Sequence, residues 1–116
     1  MKLEEIARHL ALKVHTAKGK LDIEVTGGYA CDLLSQVMAR AQAGNVWVTM
    51  QSHVNIVAVA RLKDIAGIVL VNGREPEPAT VTRADEEAIP IVVTALPAYE
   101  VVGRLWSAGI RPGRTS

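Results

Sequence analysis

The sequence predicts an α/β fold with three layers, helix over sheet over helix, around a mostly parallel sheet of four to five strands. Three observations carry this. Two near-continuous apolar runs, 46–50 and 65–71, have the length and β-branched content of strands buried on both faces. Segments with apolar residues at helical spacing alternate with the strands. Every strand-to-strand connection is long enough for a crossover, which implies a right-handed parallel arrangement. The stretch 45–73, NVWVTMQSHVNIVAVARLKDIAGIVLVNG, organises the chain. Its two polar turns follow the two middle strands, at the edge where open α/β sheets bind ligands.

The elements follow in order. Residues 1–12 place Leu3, Ile6, Ala7, Leu10 and Ala11 on one helical face, with Glu4 and Glu5 complementing the dipole in the first turn. Residues 13–20, KVHTAKGK, read as a connector that opens with a short strand. In 21–25, Leu21, Ile23 and Val25 alternate with Asp22 and Glu24, the pattern of a half-exposed edge strand. Thr26-Gly27-Gly28-Tyr29 then reads as a turn. A helix over 30–43 carries Leu33, Leu34, Val37, Met38 and Ala41 inward and stops at Gly44.

After the strand 46–50, Ser52 or Asn55 is placed to cap a helix running to Leu62. Its interior, IVAVA, is apolar nearly all round, so it is either sandwiched in the core or part of a subunit interface. The strand 65–71 leads into the loop 72–76, and a charged surface helix covers 78–88. The last strand spans 89–94 with Pro90 at its start. Pro97 fits the first turn of a final helix, 98–108, which Gly109 ends. The tail 111–116 is polar and expected to fray.

Length and composition narrow the function. The chain has 116 residues, enough for one domain, 1–116, with one core. Thirteen basic against 12 acidic residues leave a net charge of +1, no electrostatic footprint for nucleic acid or an anionic membrane. With no Phe and only Tyr29, Trp47, Tyr99 and Trp106, base-stacking platforms are not expected. The single cysteine, Cys31, excludes an intrachain disulfide and fits a cytoplasmic location. It reads as a small core residue rather than a reactive thiolate. No stretch approaches the roughly 20 apolar residues of a membrane helix, and the acidic N-terminus is unlike a signal peptide.

No catalytic residue, metal site or cofactor motif emerges. His9, His15, His53 and Cys31 lack metal-ligand spacing. Ser35 lies inside a helix without a base at plausible spacing, and Asp32 reads as a dipole or capping carboxylate. The Gly-Lys-Ser/Thr of a phosphate loop and the Gly-x-Gly-x-x-Gly of a dinucleotide site are both absent. The loops 26–29, 50–55 and 72–76 are expected to meet at the carboxyl edge, joined by the loop after Thr94. Candidate ligand-binding residues are Gly27, Gly28, Gln51, Ser52, His53, Asn55, Asn72 and Gly73. The glycine pair either offers N–H groups to an anion or gives steric relief. The polar loop residues either hydrogen-bond a ligand or cap the next helix.

The order of blocks resembles the DRTGG-domain family. Tyr29-Ala30-Cys31-Asp32-Leu33-Leu34-Ser35-Gln36-Val37-Met38-Ala39 resembles that family's G-x-DLLSDVMA helix. The run 55–73 resembles its central helix and strand, Ile89-Pro90-Ile91 its GIPI strand, and Tyr99-Glu100 the start of its last helix. Together these cover 14–110. At the family's Gly-Asp-Arg this chain has Gln51-Ser52-His53, and at Thr-Gly-Gly it has Val71-Asn72-Gly73. The resemblance implies an α/β/α module similar in fold to the N-terminal domain of HPr kinase/phosphorylase. It also implies a homodimer that tunes a partner enzyme, as in pyrophosphatases fused to CBS domains. The expectation for this chain is a homodimeric regulatory module that binds a small anionic metabolite such as an adenine nucleotide through the candidate loops. The rival expectation is a protein–protein interaction module without a ligand.

Overall fold

The three middle strands alternate their side chains between two cores, and that alternation builds the layers. The computed structural model describes residues 1–113. Its strands are β1 (Lys13–Val14), β2 (Gly27–Ala30), β3 (Asn45–Thr49), β4 (Gly67–Leu70) and β5 (Ile91–Val93), ordered β1-β5-β4-β3-β2. All pairings are parallel except β1 with β5. The helices are α1 (Leu3–His9), α2 (Leu34–Arg40), α3 (Asn55–Leu62), α4 (Pro78–Glu86) and α5 (Ala98–Ser107). Val46, Val48, Val69, Val71 and Val92 pack with Leu3, Ile6, Val101 and Leu105 of α1 and α5. Trp47, Ile68, Leu70, Ile91 and Val93 pack with Val37, Ile56, Val57, Ala60 and Ala84 of α2, α3 and α4. A period of two with both faces covered is what a parallel sheet requires. The α/β/α architecture and mostly parallel sheet read from the sequence are the ones observed.

The expected strand 21–25 is not a strand, because its acceptors serve another element. The carbonyls of Ile23 and Leu21 accept from the N–H groups of Leu3 and Glu4 at 2.9 and 3.0 Å. These are orphan donors of the first turn of α1. Only Val25 of the alternating trio is buried; Ile23 is 38% exposed. The edge strand lies instead on the glycine pair, where a turn was expected. Gly28 N–H donates to the Arg111 carbonyl at 2.9 Å, and Gly28 bridges to Pro112. Asn45 Nδ2 donates to the Gly113 carbonyl at 2.7 Å. A Cβ built on Gly27 would lie 1.7 Å from that carbonyl oxygen, so the backbones meet there only because Gly27 has no side chain. Residues 111–113 are therefore tied to β2 rather than frayed, and 114–116 lie outside the described residues.

Helix α2 is shorter than expected. Residues 30–33 belong to the end of β2 and the loop after it, which places Asp32 at the carboxyl edge rather than on a helix. The apolar face of α3 is used within the chain: Ile56, Val57, Val59 and Ala60 are all buried. That face packs in the core, while Leu62 at the end of the helix is 71% exposed. Among the described residues no helix is long and apolar enough to cross a membrane.

Candidate functional site

Parallel register puts the residues after β2, β3 and β4 side by side at one edge. There Asp32, Met50, Gln51, Ser52, His53, Arg74 and Glu77 line a cleft of about 320 Å³. The indole N–H of buried Trp47 donates to the Cys31 carbonyl at 2.9 Å, which fixes the start of the β2–α2 loop. Asp32 follows. Its carboxylate accepts from the Thr49 hydroxyl and the Met50 N–H, each at 2.7 Å. Gln51 Nε2 donates to the Asp32 carbonyl at 3.0 Å. The two loops are thus laced together by charge-assisted and amide hydrogen bonds.

Neither Ser52 nor Asn55 caps α3 through its side chain; Val54 occupies the cap position. The Asn55 N–H donates to His53 Nδ1 at 3.2 Å, so a neutral His53 ring carries its proton on Nε2. The Ser52 carbonyl accepts from the Glu77 N–H at 3.2 Å and the Thr80 hydroxyl at 2.7 Å. This locks the β3–α3 loop to the start of α4. The cleft combines donors, Arg74 and His53, with the carboxylates of Asp32 and Glu77. Such a mixture suits a ligand that carries both an anionic group and hydroxyl or amino donors. Among the described residues no three His, Cys, Asp or Glu side chains gather closely enough to hold a metal ion.

Of the sequence-predicted residues, Gln51, Ser52 and His53 line this cleft. Asn55 stands at the start of α3, beside it. Asn72 adopts the left-handed conformation (φ 63°), and its Nδ2 reaches Met50 Sδ at 3.4 Å. The N–H groups of Asn72 and Gly73 donate to Leu96 and Thr94 carbonyls at 2.8 and 3.0 Å, so the loop after β5 does join this edge. Gly73 itself faces a neighbouring concavity of about 530 Å³ with Lys13, Thr94 and Arg104. Gly27 and Gly28 do not join them. They pair with Asn45 and Val46 at the opposite, amino-terminal end of the sheet, because β2 begins two residues after the expected strand would have ended. Asp32, Arg74 and Glu77 were not among the expected ligand residues. Asp32 was obscured by the misplaced strand, whereas Arg74 sits in a loop the sequence does place at this edge.

No protein-family model matches the sequence, and no curated protein matches it. Among solved structures the chain is similar to the CBS and DRTGG domains of the regulatory region of a Clostridium perfringens pyrophosphatase, complexed with its activator diadenosine tetraphosphate. The TM-score is 0.74 at 10% sequence identity, over 90% of this chain and 45% of that one. The chain thus spans less than half the length of that relative, and at this identity the likeness is one of fold. In fold, as the order of its sequence blocks implied, the chain is DRTGG-like.

Proposed function

We propose that this chain is a non-catalytic regulatory domain that binds a small anionic metabolite, such as an adenine nucleotide, and modulates a partner enzyme as a homodimer. The observation that carries the reading is the carboxyl-edge cleft. Its lining is predominantly polar, it draws on three separate loops, and it holds both a cation and carboxylates. A phosphate would lie against Arg74 and the His53 Nε2–H. Sugar hydroxyls or an exocyclic amine would donate to Glu77 and to Asp32. The fold likeness to a regulatory region complexed with a dinucleotide activator adds support.

Isothermal titration with AMP, ADP and ATP tests the ligand. Saturable heat is expected for at least one of them. Arg74→Gln should weaken it by about tenfold or more, the loss of one charge-assisted contact, with an unchanged melting temperature. No heat from any nucleotide at millimolar concentration rejects the ligand. Sedimentation equilibrium tests the dimer, and a monomer at all accessible concentrations removes that part of the proposal.

A further inference from the structure

A second cavity, sharing no residue with the cleft, lies between the β2 edge and α5. Two small residues of β2, Gly28 and Ala30, line it. A Cβ on Gly28 would point at Ile110 Cγ2, 3.3 Å away, and at Val46, which fixes the face that Gly28 presents to α5. Ala30, two residues on, shares that face. Where β3 offers Val46 and Val48 to the helix layer, β2 offers a hydrogen and a methyl group. Helix α5 bridges both strands, and the space left beneath it has a volume of about 210 Å³. Val48, Val102, Leu105, Ile110 and Pro112 contribute to an almost wholly apolar lining. Water gains little in such a space, since it needs two or more polar partners.

Among the described residues, the only charged one lining the cavity is Arg111. Its guanidinium lies 4.4 Å from the centroid of the Trp106 ring and donates to the Trp106 carbonyl. No carboxylate among the described residues forms an ion pair with it. Trp106 is half exposed, so the stacked pair stands at the surface. An apolar hollow with one held cation is the usual form of a site for an amphipathic anion: the hollow takes the hydrocarbon and the fork takes the carboxylate. Size sets the limit. An apolar cavity of roughly 150 Å³ accepts one benzene ring, so this one holds a ring with a short side arm.

We propose that this cavity is a binding site for a small monocarboxylic acid with one aromatic ring or an equivalent short hydrocarbon body, its carboxylate paired with Arg111. The test uses the full chain, with phenylacetate as the probe and phenylacetamide as its neutral counterpart. In amide NMR spectra, phenylacetate should shift Gly28, Ala30 and Val102 saturably. Arg111→Gln should weaken phenylacetate by about tenfold or more and leave phenylacetamide unchanged. Ala30→Leu fills the hollow and should abolish binding while the fold persists. Should that variant misfold, Val102→Phe fills it from the opposite wall. Non-saturable shifts at millimolar probe, or unaltered affinity in a filled variant, overturn the proposal. So does self-association of the chain through this face that the filled variants abolish and phenylacetate does not disturb, because a second copy would then be the occupant.

Discussion

The Asp32 carboxylate and the Thr49 hydroxyl, 17 residues apart in sequence, meet at 2.7 Å and join the ends of two adjacent parallel strands. The same oxygen takes the Met50 N–H at 2.7 Å, so one carboxylate sets where both β2 and β3 leave the sheet. Asp32→Ala should lower the unfolding free energy by about 2 kcal/mol, the worth of hydrogen bonds to a charged acceptor. Asp32→Asn should recover part of the loss by keeping one acceptor oxygen. Urea denaturation with an unchanged m-value measures this. A loss below about 0.5 kcal/mol, the scale of an ordinary surface substitution, would mean the lacing is idle.

At the other end of β2 the contact is backbone on backbone. Gly27→Ala would place a methyl group 1.7 Å from the Gly113 oxygen, and neither partner is a flexible side chain that can swing aside. The segment 111–113 should therefore lift away, at a cost of about 1–3 kcal/mol for overpacking. Hydrogen exchange at the Gly28 N–H, which donates to Arg111, should accelerate. Protection equal to that of the unaltered chain would show that the tail shifts without detaching.

These two ends of β2 also explain which parts of the molecule were legible in the sequence. Strands β3 and β4 were clear because both faces are buried, so their residues read as unbroken apolar runs. Strand β2 was not, because two of its four residues are glycines that a local reading assigns to a turn. What makes Gly-Gly a strand here is the non-local approach of 111–113, which no local pattern encodes. That one displacement sent Gly27 and Gly28 to the wrong edge and hid Asp32. Gln51, Ser52 and His53 were legible because they directly follow an unmistakable strand. Helix ends were misjudged for a different reason. Helices α1 and α4 stop before Ala11 and Ala88, and alanine carries no stop signal.

Those helix ends share one geometry. After α1, α3, α4 and α5 the chain turns through a left-handed residue: Ala11, Asp64, Ala88 and Gly109, with φ of 54°, 53°, 57° and 97°. The following N–H groups, of Leu12, Ile65, Ile89 and Ile110, each reach back to the carbonyls of Ala7, Ala60, Ala84 and Leu105 at 2.8–2.9 Å. This is the Schellman arrangement with its buried apolar residue after the turn. Only one of the four uses glycine. A non-glycine residue there costs about 1–2 kcal/mol, and glycine returns about 0.5–1 kcal/mol of that as lost backbone entropy. Ala11→Gly and Ala88→Gly, both at exposed positions, should each stabilise by about 0.5–1 kcal/mol. Asp64→Gly should gain less, because aspartate tolerates this conformation better than alanine. Gly109→Ala should destabilise. Thermal denaturation of the four variants checks the ordering, and an unstable Ala88→Gly would contradict it.

Tyr29 sits on β2, partly buried against the α2–α4 core beside Cys31. Burial, reinforced by the Cys31 thiol, pushes its phenol above the ordinary value of 10.0. The folded chain therefore keeps a proton that the unfolded chain releases once the pH passes about 10. The resulting stabilisation is complete below that pH and declines as the pH rises through the window between the unfolded and folded values. A Tyr99→Phe background leaves Tyr29 as the only phenol, and its phenolate absorbance can then be titrated in the folded chain and in urea. The folded midpoint should be the higher of the two, and Cys31→Ala should bring it partway down. Coincident midpoints in the folded and denatured chains would show that the ring is solvated as freely in the fold as out of it.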